Sequence, residues 1–169
     1  MLWTERLGLS MDEGVGFIAE KGQGQFKTAV ALTSGDSVVI SALTTEESRE
    51  QVTITNVGTT ATRHKLIGAY QGIGGTGAVN TTSGSPGGRN ALAGDLVWVT
   101  MHGIATTLVE GTTDVAADDP LMMMNSATGT LIIAVAAASN VAGSHYGVFS
   151  LAAQTSATPT FTKVYFRCV

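Results

Sequence analysis

Charge is scarce in this chain. Asp, Glu, Lys and Arg make up 13% of its 169 residues, about half the usual share in a globular protein. The nine Lys and Arg are outnumbered by 13 Asp and Glu, for a formal net charge of −4. No basic run occurs, and a binder of the nucleic-acid backbone needs a cationic footprint, so no nucleic-acid partner is expected. Cysteine occurs once, at Cys168, which excludes an internal disulfide. The longest apolar run, residues 131–138, falls far short of the roughly 20 residues that cross a bilayer. The start, Met1-Leu2-Trp3-Thr4-Glu5-Arg6, has no basic stretch followed by an apolar one. Neither a signal peptide nor a membrane partner is expected, and synthesis in a cytoplasm is.

Apolar residues are plentiful at 44%, and glycine occurs 21 times. With so little charge, either part of the surface is buried between subunits, or it is made of Thr, Ser, Gly and Asn. Residues 1–25 stand apart. Trp3, Leu7, Leu9, Met11, Phe17 and Ile18 are scattered among Gly8, Gly14, Gly16, Gly22 and Gly24. Glycine this frequent breaks a helix, so an extended N-terminal arm is predicted, closing in a turn at Lys21-Gly22-Gln23-Gly24. The arm's anchors Trp3, Leu7, Leu9 and Met11 are the candidate interface residues.

From Phe26 onward the pattern is that of strands, and an all-β domain over 26–169 is predicted. Val52-Thr53-Ile54-Thr55 alternates apolar and polar. In the last segment Thr162, Val164, Phe166 and Cys168 share one face, with Phe161, Lys163, Tyr165 and Arg167 on the other. Ser37-Val38-Val39-Ile40 and Leu96-Val97-Trp98-Val99 are continuous apolar runs, as in strands covered on both faces. Residues 131–138 are read as a strand, and Met122-Met123-Met124 as a buried one. One punctuation recurs: Ser34-Gly35-Asp36, Ala93-Gly94-Asp95 and Ala117-Asp118-Asp119 each precede an apolar run. The middle residue suits an unusual turn angle and the following Asp can bond nearby backbone N–H groups. Residues 68–90 are rich in Gly, Ser and Thr and are predicted to be a loop.

No chemistry assembles from these residues. Gly72-Ile73-Gly74-Gly75-Thr76-Gly77 matches G-x-G-x-x-G, but a dinucleotide loop needs a helix after it, and more glycines, serines and Pro86 follow. His64, His102 and His145 lack the close pairing of metal ligands. No serine lies in G-x-S-x-G, and Cys168 is expected to be buried and structural. Glu46, Glu47, Arg49 and Glu50 follow a capping-box pattern at residues 44–47, which fits one solvated turn. Asp114, Asp118 and Asp119 lack the ladder and terminal Glu of an EF-hand loop. Asn80-Thr81-Thr82 fits a glycosylation acceptor, and is read as a coincidence because no signal peptide is expected. The chain is expected not to be an enzyme and to use no metal or cofactor.

Its second half has a resemblance. Leu92-Ala93-Gly94-Asp95-Leu96-Val97-Trp98-Val99 is followed by His102-Gly103-Ile104-Ala105, by Glu110-Gly111-Thr112-Thr113-Asp114-Val115-Ala116-Ala117-Asp118-Asp119-Pro120-Leu121 and by Thr128-Gly129-Thr130. Tyr146-Gly147-Val148-Phe149-Ser150-Leu151-Ala152-Ala153 and a last strand from Lys163 close the chain. Over residues 91–169, and more weakly over 33–43, this is similar to the capsid cement (decoration) proteins of tailed bacteriophages. Asp118 stands where that family often has glycine, and Phe149-Ser150 replaces its small apolar pair. The resemblance implies a small β-barrel or β-tulip domain on the outer surface of an icosahedral virion, made in a bacterial host. It further implies a homotrimer that bridges subunits of the major capsid protein. A receptor- or carbohydrate-binding β module of a phage tail or fibre is the alternative, with Tyr70 beside the glycine-rich loop as its candidate contact.

Overall fold

The computed structural model describes residues 22–41, 52–58, 65–111, 114–124, 129–133 and 147–167. The arm anchors Trp3, Leu7, Leu9 and Met11 lie outside the described residues, as do Glu46–Glu50 of the charged turn, His64, His145, Cys168 and residues 134–138. The described residues contain no α-helix and nine strands. These are β1 (Gly22–Thr28), β2 (Ser37–Ile40), β3 (Thr53–Thr55), β4 (Leu66–Ile73), β5 (Leu96–Val109), β6 (Leu121–Met123), β7 (Leu131–Ile133), β8 (Val148–Ser150) and β9 (Thr160–Arg167).

The strands β1–β3–β2–β4–β5 are neighbours in that order, and β5 pairs back onto β1. The ring is therefore a closed five-stranded barrel, as the all-β expectation requires. Closure removes the free sheet edges that would otherwise invite pairing with other chains. β5 is long because it serves twice. Its first half pairs with β1, from Leu96 to His102, and its second half pairs with β9, from His102 to Val109. Gly103, between the halves, has φ of 99°. β9 also carries β8, and the end of β5 carries β7, which pairs β6.

Two apolar cores result. Leu32, Val38, Ile54, Tyr70, Ala91, Val97 and Val99, with Phe26 packed against them, come from all five barrel strands and the turns before them, so they fill the barrel. Val39, Ala69, Ala105, Val109, Leu121, Leu131, Val164 and Phe166 belong to the second core, between the barrel wall and β6–β9. Successive side chains of a strand point to opposite faces. Val38 and Val39 therefore serve different cores, as do Tyr70 and Ala69. The continuous apolar run of β2 has the physical cause expected for it. The alternation predicted for the last strand also holds: Thr162, Val164 and Phe166 are buried, and Lys163 and Arg167 are exposed.

Three sequence readings change. The predicted turn at Gly22–Gly24 is the start of β1, and the barrel begins at Gly22. Gly24 lies against the Met101 and Phe26 side chains, so glycine serves close packing there. β4 runs to Ile73, so the loop proper spans 74–90. Leu96-Val97-Trp98-Val99 is covered on one face only. Val97 and Val99 are fully buried, whereas Leu96 is 48% and Trp98 38% exposed.

Coverage of β2 on both faces has a measurable consequence. Val38→Ala and Val39→Ala should each destabilise the protein by roughly 2 kcal/mol, since each leaves a gap in a dry core. In a half-exposed strand one of the two would be nearly neutral. Urea unfolding midpoints of the two variants decide between these cases.

Candidate functional site

The recurrent punctuation forms one turn built three times. In each, the Asp carboxylate accepts from the backbone N–H three residues earlier. Thr33 N donates to Asp36 Oδ2 at 2.9 Å, Leu92 N to Asp95 Oδ2 at 2.8 Å and Ala116 N to Asp119 Oδ2 at 2.8 Å. The residue before the Asp has positive φ every time: 103° at Gly35, 93° at Gly94 and 70° at Asp118. Asp is among the few side chains that tolerate this region, which explains how Asp118 replaces glycine. The residue before each turn makes an isolated β-bridge, Leu32 to Ala91 and Val115 to Gln154, and all three bridge residues of the turns are buried. The first two turns therefore lie side by side and launch β2 and β5.

Their surroundings differ, and so does their electrostatics. Asp36 is 3% exposed. Burial pushes its carboxyl up to about 6, against the N–H of Thr33 and the Asn56 amide, which donates at 2.7 Å. Asp95 faces solvent. The Thr76 N–H first, and then the Leu92 N–H, hold its carboxyl below the usual carboxylate range, helped by the Thr76 hydroxyl at 2.9 Å. Asp95 thereby ties the glycine-rich loop to the root of β5.

The loop is fastened along its length. Gly77 N donates to Asn90 O, Asn90 N to Ala78 O and Asn80 N to Gly88 O, so the segment doubles back as an irregular hairpin. Its G-x-G-x-x-G glycines have no helix after them, and Gly77 N and Thr76 N are already bonded to Asn90 O and Asp95. No phosphate cradle is formed. Asn80 is buried and its amide donates to Ser34 O. Tyr70, the candidate contact of the receptor-binding alternative, is fully buried in the barrel, and its hydroxyl donates to Arg89 O at 2.5 Å. Burial pushes that phenol up to about 12. A side chain so placed is unable to meet a ligand, and that alternative loses its contact residue.

The remaining candidates are dispersed. His102 is half-buried and its Nε2 lies 3.4 Å from the Tyr165 hydroxyl, ring edge to ring face. Asp119 is engaged in its turn, and Asp114 and Asp118 are exposed. Met122 and Met123 are buried in β6. Among the described residues no group of three or more His, Cys, Asp or Glu is placed to hold a metal ion.

What stands out instead is an exposed apolar stripe on the outer barrel wall. Ile73 is the cross-strand partner of Trp98, and Leu96 lies two residues away on the same face of β5. Leu92, in the turn that leads into β5, is exposed as well. These four are 48%, 38%, 48% and 54% exposed, in that order. On the other side the neighbours are Gln25, opposite Trp98, and Lys27, opposite Leu96, both exposed. The sequence hid this patch because its apolar residues sit in a run that also contains Val97 and Val99 of the core.

No protein-family model matches the chain, and no curated protein matches it. Among solved structures, the N base of head fiber gp8.5 of bacteriophage phi29 is similar, with a TM-score of 0.41 and 14% sequence identity. The match covers 86% of this chain and 94% of that one.

Asp36 gives the site a pH signature. Its folded pKa of about 6 lies above the ordinary 3.8, so the folded protein holds a proton that the unfolded chain releases. Its contribution is therefore most favourable below about pH 4, declines as pH rises toward 6, and is level above that. Asp36→Asn keeps an acceptor for Thr33 without the titration. Relative to the parent, this variant should gain roughly 2 kcal/mol of stability between pH 4 and pH 7. Urea titrations at the two pH values check it; an unchanged difference would mean that Asp36 titrates normally.

Proposed function

We propose that the chain is a structural virion protein. It binds the outer surface of an icosahedral phage capsid and stiffens it by bridging major capsid protein subunits. The observation that carries this reading is the group of exposed apolar side chains Ile73, Leu96 and Trp98 on the outer wall of the barrel, which suits a chain that works within an assembly of subunits. Apolar side chains grouped on a surface mark places where another protein surface belongs. The low charge of the chain fits extended protein contacts in place of nucleic acid. The resemblance of residues 91–169 to capsid cement proteins supplies the capsid as partner and the homotrimer as the working form. In this reading the N-terminal segment, with Trp3, Leu7, Leu9 and Met11, makes contacts between subunits. The task is one of adhesion and load, so neither a catalytic group nor a cofactor is required.

The test uses empty shells assembled from the major capsid protein of the same genome. Added chain should co-sediment with them, saturate at a fixed ratio, and raise their melting temperature by several degrees. Absence of co-sedimentation at micromolar chain would end the reading. Analytical ultracentrifugation of the free chain should give three times the chain mass.

A further inference from the structure

We infer that the stripe of Ile73, Leu92, Leu96 and Trp98 is the receptor for the N-terminal segment of a second copy of this chain. The inference rests on the intersubunit role proposed for that segment and names the surface it occupies.

Three observations select this occupant. The first is chemical fit. The stripe offers two aliphatic side chains and an indole on one face, and Leu92 in the turn before β5 is exposed too. The segment ahead of β1 carries Trp3, Leu7, Leu9 and Met11, followed by Asp12 and Glu13. Lys27, exposed at the stripe's edge opposite Leu96, is the cation that this acidic pair would meet.

The second is direction. β1 is antiparallel to β5, with Lys27 opposite Leu96, Gln25 opposite Trp98 and Gly22 opposite His102. Traced backward, the chain passes the stripe and leaves at the His102 end. Gly22 lies beyond the patch, and the line of β1 continued backward leads away from it. A segment that covered the chain's own stripe would have to reverse direction at Gly22.

The third is reach. The residues ahead of Gly22, if extended, span roughly 70 Å. A domain of this size is roughly 40 Å across. A head-to-tail contact of arm on stripe uses two different surfaces, and such contacts close into a ring when the rotation allows it.

Trp98 makes the test direct. The chain has two tryptophans, Trp3 and Trp98, so Trp3→Phe leaves an emission that reports on the stripe alone. In that variant Trp98 emission should shift to the red when residues 1–11 are removed, and the oligomer should dissociate. A peptide of residues 1–13 carrying Trp3→Phe should restore the blue emission on the truncated protein. The double variant Leu96→Ser, Trp98→Ser should also dissociate while keeping its circular dichroism spectrum. Mixed with the truncated protein, it should form a one-to-one complex, because one partner supplies the arm and the other the stripe.

Equal Trp98 emission with and without the arm overturns the inference. So does blue emission in a chain that remains monomeric, which places the arm on its own stripe. A double variant that stays oligomeric but no longer binds shells also overturns it, and leaves the capsid role intact with the stripe as its contact. An oligomer that depends on arm and stripe but ignores shells upholds the inference and ends the capsid reading.

Discussion

Val38 and Val39 point in opposite directions, and both must be dry. The rest of the architecture follows from that constraint. A strand with both faces buried needs a layer on each side. Here one layer is the far wall of the barrel and the other is β6–β9. β4 obeys the same rule through Ala69 and Tyr70. β5 satisfies it by dividing its length, with Val97 and Val99 inside the barrel and Ala105 and Val109 against the outer layer. Two cores joined through one wall let strands of three or four residues hold together, since each such strand alone buries too little to persist.

The Asp turns are the local counterpart. Each uses one carboxylate to take a backbone N–H and one positive-φ residue to reverse the chain just before a strand. The same geometry has opposite electrostatic outcomes at Asp36 and Asp95, because hydrogen bonds stabilise a carboxylate while desolvation opposes it. At the buried turn desolvation dominates. At the exposed one it is small, and the N–H groups decide. The buried polar groups nearby are also satisfied. Thr107 donates its hydroxyl to Gly35 O, so Ser37, 2.7 Å away, is the donor to Thr107. This network binds the first turn to the second half of β5, and so joins barrel and outer layer.

The surface divides by strand face. Along β5, inward Val97 and Val99 stabilise the barrel, while outward Leu96 and Trp98 contribute little to a lone molecule. The glycine-rich segment beside them is held in shape by Asp95, Asn90 and the Tyr70 hydroxyl. The stripe is thus flanked by a fastened loop.

Much of the fold was legible in the sequence because it depends on local rules. Period-2 alternation gave away β9, the turn chemistry located the entries to β2, β5 and β6, and together they pointed to an all-β chain. The glycines were legible only as permissive: Gly24 looks like a turn in sequence and is close packing in a strand. The site was less legible. Tyr70 beside a glycine-rich loop reads as an exposed contact, yet it is a core residue, because the loop folds back and accepts its hydroxyl at Arg89 O. Leu96-Val97-Trp98-Val99 reads as doubly buried, like Ser37-Val38-Val39-Ile40. Sequence determined that both runs are strands, since that depends on neighbours along the chain. Only the tertiary structure decided that β2 lies under β6–β9 and the start of β5 does not, because burial of a face depends on which distant strands are packed against it.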